Sequence, residues 1–359
     1  MPTSPWRRLR PAALAAAFLL AFLGLFHHNG PADVPKPKAT SQNSLLPPMR
    51  GSLFAVETPQ DALPWRLRPR SRGLFWGEYF EVNSTGMWDK EYPVDKPSGV
   101  IRIALLGDSI SMGGGIRPNE TLCARLERGL NARAEAGVRY EVMNFAVAGY
   151  TAAMQLEQFT SRALAYDPDH VLVALTSLSI TQDVRQFYTD RKSATVRILE
   201  QLPGGLGRER PFARRSRELF EDAGVSNPPS RLKVFDEDRF AADRRLYLRT
   251  LLRRFLNAGG NDQGRITIIY LPAMRAAEDR SPVRGEIEAS AAEAGVPFLD
   301  VSPPFRARHA MFQAVPGDPH PNSEAHRIFA EQLLGRLQFR PGGGVGGGRW
   351  REKKTVPKG

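Results

Sequence analysis

Apolar and polar positions alternate in blocks along the middle of the chain. Val100 to Leu106 is a short apolar run suited to a fully buried strand, and Glu120 to Asn131 then carries Leu122, Leu126 and Leu130 at helical spacing. Four further apolar runs follow in the same manner, Tyr140 to Val147, Val171 to Leu175, Ile266 to Leu271 and Val296 to Val301, several of them separated by helical stretches. This alternation predicts an α/β fold, a three-layer sandwich with a central parallel sheet of about five strands, helices on both faces and right-handed crossovers. Ligands in such sheets sit beyond the carboxyl ends of the strands, so chemistry is expected in the residues that follow each run.

The flanks read differently. Arg7, Arg8 and Arg10 precede an almost unbroken apolar run from Pro11 to Phe26, closed by His27, His28 and Asn29. That length lies between a signal-peptide core and a full membrane span. With no clean small-x-small cleavage site after the run, residues 1–30 read as an uncleaved membrane anchor, the alternative being secretion after cleavage. Cations before the run hold that end in the cytoplasm, which predicts a single-pass protein of a bacterial inner membrane with its main domain periplasmic or extracellular. Residues 31–62, rich in Pro, Lys, Ser and Asn, read as a linker. In residues 63–98 aromatic and basic residues interleave (Trp65, Arg66, Arg68, Arg70, Phe75, Trp76 among them), predicting a short β-rich lead-in packed on a main domain of residues 99–339. Within that domain, residues 182–261 form a basic, largely helical insertion. Leu246, Leu248, Leu251, Leu252 and Phe255 lie at helical spacing beside Arg244, Arg245, Arg249, Arg253 and Arg254. The insertion is either an amphipathic helix with a solvated basic face or a lid toward anionic glycan or lipid headgroups. Residues 340–359 read as a flexible Gly-rich basic tail.

Composition narrows the function classes. The chain has 359 residues, 42% of them hydrophobic, enough for one large core plus appendages. A single cysteine, Cys123, excludes an intramolecular disulfide and a cysteine-based metal cluster. No His and carboxylate set has metal-ligand spacing, so neither a metal nor another cofactor is expected. His170 opens the third strand, His326 sits in the last helix, and both are expected in packing or surface roles; His309 stands isolated. The net charge of +12 admits nucleic acid, but no recognised binding motif accompanies it. Anionic lipid or acidic polysaccharide is the expected contact.

Three polar segments follow the strands. Gly107-Asp108-Ser109-Ile110 comes immediately after the first, where a Ser at a tight strand-to-helix turn is either a helix cap or a hydroxyl projected from the sheet edge. Asn144-Phe145-Ala146-Val147-Ala148-Gly149 ends the second strand region. Asp318-Pro319-His320-Pro321-Asn322 lies near the C-terminus and supplies an imidazole and a carboxylate together, the pair that a hydroxyl nucleophile needs, or else forms the entry to a helix over Ser323 to Leu337.

Taken together these segments resemble the SGNH/GDSL hydrolase family across roughly Val82 to Leu337. The stretch Val82-Asn83-Ser84-Thr85-Gly86-Met87, leading into Lys96-Pro97 and Arg102-Ile103, is similar to the approach to the first motif in membrane-associated bacterial members. The resemblance implies a flavodoxin-like three-layer fold and a Ser-His-Asp mechanism, with Ser109 as nucleophile, His320 as general base and Asp318 as its orienting partner. It places the backbone N–H groups of Ser109 and Gly149 in the oxyanion hole. The implied function is hydrolysis of an ester, such as an O-acylated carbohydrate, through an acyl-enzyme. An O-acyltransferase on an extracytoplasmic polysaccharide and a non-catalytic polysaccharide-binding or assembly module are the alternatives. Two departures stand out. The family usually spaces its acid three residues before the His, where Gly317 stands here, and its third motif normally carries an Asn where this chain has Leu178 within Thr176-Ser177-Leu178-Ser179. Ser177, Ser179, Thr181 and Gln182 are the candidate substitutes for the missing donor, Ser177 and Ser179 first among them.

Overall fold

The computed structural model describes residues 54–56, 63, 65–75, 78–189, 211–225, 240–260, 264–314, 316–338 and 351–352. The anchor expected in residues 1–30, most of the linker and nearly all of the tail lie outside the described residues. Among the described residues, no helix is long and apolar enough to cross a membrane.

The strands among the described residues are β1 (Phe54–Val56), β2 (Trp65–Leu67), β3 (Arg72–Phe75), β4 (Glu78–Glu81), β5 (Val100–Leu106), β6 (Arg139–Asn144), β7 (His170–Leu175), β8 (Ile266–Tyr270), β9 (Phe298–Asp300), β10 (Leu337–Gln338) and β11 (Arg351–Glu352). The helices are α1 (Ser109–Met112), α2 (Leu122–Asn131), α3 (Ala152–Ser161), α4 (Ser177–Thr189), α5 (Pro211–Asp222), α6 (Ala241–Ala258), α7 (Val283–Ala294) and α8 (Ser323–Arg336). Strands β5 to β9 form one five-stranded parallel sheet in the order β6-β5-β7-β8-β9. The register pairs Leu105 with Asn144, Leu106 with Val173 and Leu175 with Tyr270, so the carboxyl ends lie along one edge. The segments that follow β5, β6 and β7, with Ser109, Gly149 and Ser177, therefore emerge on the same side.

Side chains of β5 alternate across the sheet, as a pleated strand requires. Ile103 and Leu105 join a core with α2 and α8, whereas Ala104 and Leu106 join a second core with α3, α6 and α7. The lead-in belongs to the second core through Trp65, Leu67, Phe80, Val82, Trp88 and Tyr92, all buried. It is tied down by polar contacts as well. Arg102, fully buried, meets Glu141 at 3.0 Å and donates to the carbonyls of Pro93 and Val94, each at 2.7 Å, and of Tyr166 at 2.9 Å. A buried guanidinium is tolerable because its donors are taken up in this way.

Some element limits differ from the sequence pattern for local reasons. Helix α2 begins at Leu122 because Thr121 caps it, its hydroxyl accepting from the Ala124 N–H at 3.3 Å, after a single 3-10 turn over Pro118–Glu120. Strand β9 shrinks to three residues, and Pro297, which has no N–H to offer a ladder, stands just before it. The expected insertion boundary at residue 182 falls inside α4. In α6 the buried residues include Arg244, Tyr247, Leu248, Leu251, Leu252 and Phe255, with Thr250 beside them. Their spacing is one continuous helical stripe, which places Arg244 inside and Leu246 outside, contrary to the expected division. Arg244 is accommodated by Glu286 on α7, which it meets bidentately, one contact being 2.8 Å.

Candidate active site

The turn after β5 is sterically specified. A Cβ at Gly107 would lie 1.9 Å from Ser111 Oγ and 3.2 Å from Ala174 Cβ, so only glycine fits. Asp108, not Ser109, caps α1: its carboxylate accepts from the Ile110 N–H at 2.9 Å and from the Thr176 hydroxyl at 2.7 Å. Burial pushes the Asp108 carboxyl up, against the pull of those two hydrogen bonds. With the cap supplied by its neighbour, Ser109 keeps its hydroxyl for another partner.

That partner is His320. Its Nε2 lies 2.8 Å from Ser109 Oγ, and its Nδ1 lies 2.5 Å from Asp318 Oδ1. The same carboxylate oxygen accepts from the His320 backbone N–H at 2.8 Å, a tight side-chain turn that makes a two-residue spacing sufficient. Gly317, where the family's usual spacing would place the acid, has φ 83° and is in the left-handed region that side chains disfavour. Partial burial works to raise the Asp318 pKa, but the hydrogen bond and charge of His320 outweigh it and hold the carboxyl below its ordinary value. The segment is pinned on both sides. Ala314 N–H donates to His320 O at 2.9 Å, Asn322 N–H to Phe312 O and Met274 N–H to Pro319 O, each at 2.7 Å. Asn322 also caps α8.

Gly149 has φ 83°, a conformation that glycine adopts without strain. Neither its N–H nor that of Ser109 makes a hydrogen bond among the described residues. The lead-in braces this segment: Trp65 Nε1 donates to the Ala148 carbonyl at 3.1 Å, and the Tyr150 hydroxyl donates to the Trp65 carbonyl at 2.7 Å.

The third segment is otherwise employed. Ser179 donates its hydroxyl to the Thr176 carbonyl at 3.0 Å while Thr176 Oγ1 accepts from the Ser179 N–H, a reciprocal cap for α4. Ser177 donates to Glu278 at 2.5 Å, and the same carboxylate oxygen accepts from the Tyr270 hydroxyl. The Ser177 and Ser179 hydroxyls thus already hold other partners. Leu178 packs, partly buried, against the α2/α8 core. Sequence reasoning missed Thr176 as the partner of Asp108, although its Thr-x-x-Ser spacing is that of a cap. Glu278 carried no signal.

Three other histidines lie among the described residues. His170 and His326 are buried. His326 Nδ1 accepts from the Leu122 N–H at 3.0 Å, satisfying a free donor at the start of α2. His309 is not isolated, because its Nε2 lies 2.8 Å from Asp279 Oδ1.

The sequence family described as GDSL-like lipase/acylhydrolase matches residues 105–328, from the end of β5 into α8. The chain belongs to that family. The GDSL-like match spans every segment of the site above, from Ser109 to His320. Among solved structures the chain is similar to a lipase/acylhydrolase from Enterococcus faecalis at 14% identity and TM-score 0.38, covering 65% of this chain and 93% of that one. It is also similar to a catalytic mutant of an acetylxylan esterase from Geobacillus stearothermophilus at 17% identity and TM-score 0.39, covering 65% and 92%. An α/β hydrolase from the metagenome of Lake Arreo, Spain, gives 17% identity and TM-score 0.41, with 65% and 93% covered. No curated protein matches the chain.

Proposed function

We propose that this GDSL-like chain hydrolyses an ester through an acyl-enzyme on Ser109. The single observation that carries the reading is the continuous line Ser109 Oγ, His320, Asp318, with links of 2.8 and 2.5 Å. His320 Nε2 takes the Ser109 proton as Oγ bonds to the ester carbonyl carbon, and Asp318 fixes the tautomer that leaves Nε2 free to accept it. The unengaged N–H groups of Ser109 and Gly149 stabilise the oxyanion. Collapse of the tetrahedral adduct breaks the bond to the alcohol, which leaves with the proton from His320. Water, deprotonated by the same imidazole, then releases the acid and regenerates Ser109.

The substrate class in this reading is an O-acylated carbohydrate or another small ester. The family likeness of the Val82–Met87 approach and the net charge of +12 support it, the latter through attraction to acidic glycan. The reading also places the domain outside the cytoplasm, supported by the apolar run from Pro11 to Phe26 and its preceding arginines. Hydrolysis of 4-nitrophenyl acetate tests the chemistry. The parent turns it over, and Ser109→Ala and His320→Ala each lose about three orders of magnitude or more. A parent without activity, or a Ser109→Ala variant that keeps it, rejects the reading.

A further inference from the structure

A concavity of about 560 Å³ opens beside the β3–β4 hairpin, lined by Arg70, Arg72, Tyr79, Glu81, Asp89 and Lys90 among others. Several of its charges are already committed. Asp89 accepts from the Asn144 N–H and the Tyr92 hydroxyl, each at 3.0 Å, and Lys90 pairs with Glu127. Arg70, Arg72 and Glu81 are not committed: all three are exposed, and none makes a side-chain hydrogen bond or ion pair among the described residues. Tyr79 is 49% exposed, one of the few large side chains left open on the surface. Arg70 occupies the left-handed region at φ 57°, held there while its N–H donates to the Asn83 carbonyl at 3.1 Å.

Hydrogen bonds tie the wall of the concavity to the short helix that begins at Ser109. Asp89 in its wall accepts from Asn144, and the Asn144 side-chain amide donates at 3.1 Å to the carbonyl of Met112, the last residue of α1. Pro118, another lining residue, lies on the loop that follows α1. A second tie joins that loop to the hairpin, Arg117 Nε to Glu78 at 3.7 Å.

We propose that this concavity is a subsite for a carboxylated sugar residue of an acidic polysaccharide. Two free guanidinium groups bind the sugar carboxylate, since their planar donors match its two oxygens. Glu81 accepts from ring hydroxyls, and the Tyr79 ring packs on the apolar face of the sugar. A site for bare phosphate has no use for an open carboxylate in its lining, whereas a sugar carries hydroxyl donors that need one. The subsite extends the ester-hydrolase reading to the part of the substrate distant from the reacting bond, yet its binding is measurable apart from that chemistry.

Titration of the full chain in detergent with an oligogalacturonate tests it, with a neutral xylo-oligosaccharide, inorganic phosphate and phosphatidylglycerol vesicles as comparisons. The oligogalacturonate binds, its affinity falls with added salt, and the neutral sugar binds at least about tenfold more weakly. Arg70→Asn with Arg72→Gln weakens oligogalacturonate about tenfold or more, while hydrolysis of 4-nitrophenyl acetate is unchanged, which also shows that the variant folds. Asn suits residue 70 because it tolerates the left-handed region. Tyr79→Ala lowers affinity for oligogalacturonate without altering its salt dependence. Equal binding of the neutral sugar, retention of parental affinity by the double variant, displacement by phosphate at matching concentration, or binding to vesicles alone overturns the proposal. A parent that binds oligogalacturonate but hydrolyses no ester leaves the subsite standing and removes the esterase reading.

Discussion

Leu178 stands where the family's third motif carries an oxyanion-binding Asn, and the hydroxyls on either side of it are already engaged. Ser177 is held by Glu278 and Ser179 by the Thr176 carbonyl. On the proposed mechanism two backbone donors are left to stabilise the oxyanion, and slow turnover is expected. Leu178→Asn is expected to raise kcat on an aryl ester by up to about a hundredfold with little change in KM, because the new donor acts on charge that develops in the transition state. An amide that finds no partner costs about 1–3 kcal/mol, so a urea melt belongs beside the kinetics. A folded Leu178→Asn protein with unchanged kcat means that the side chain at 178 does not face the reacting carbonyl. Ser109, His320 and Asp318 were legible as residues because their types and order match a known constellation. The route by which Asp318 reaches His320 was not legible, since it depends on a side-chain turn whose closure over two residues only coordinates reveal.

Helix α2 starts against a histidine that belongs to another helix. His326 accepts from the Leu122 N–H, and burial together with the nearby Arg125 charge lowers its pKa to about 3. The unfolded chain therefore binds this proton near the ordinary value of 6.5, well before the folded one does. The contribution of His326 to stability is complete above about pH 6.5 and is lost as the pH falls toward 3, amounting to about 2 kcal/mol by pH 5. Asp89, which burial pushes up to about 7, acts in the opposite sense over the same window, so the parent alone does not isolate the effect. Urea unfolding of the parent and of His326→Asn does, since the amide keeps an acceptor for Leu122. The variant should lose less stability than the parent between pH 8 and pH 5, by about that amount; parallel losses mean that His326 is free to protonate in the fold. At this scale the sequence was most informative where apolar runs are long, as in β5 and β7. It was less informative at the start of α6, where Leu248, Leu251, Leu252 and Phe255 face inward as their spacing suggests but Arg244 joins them and Leu246 does not. Arg244 is inside only because Glu286, on a helix distant in sequence, meets it there. Periodicity carries no record of such a partner.

For the whole molecule, the lead-in is part of the domain and not an attachment to it. Trp65, Phe80 and Trp88 are buried in the core shared with α3 and α6, and Arg102 fixes residues 93–94 to the sheet. Removing residues 1–30 is expected to leave a folded, active protein, whereas starting the chain at residue 99 strips several large side chains from the core. At about 1.5–3 kcal/mol for each, that loss matches the whole stability of a typical domain. Circular dichroism and solubility of the two truncations check this, and a cooperative, soluble chain from residue 99 onward contradicts it. The central claim, that Ser109 is a nucleophile activated by His320, is tested most directly by intact-mass analysis after reaction with a fluorophosphonate. A single adduct should form and map to Ser109, be absent from Ser109→Ala, and form much more slowly in folded His320→Ala. An unlabelled parent, or an adduct that persists in Ser109→Ala, contradicts the account.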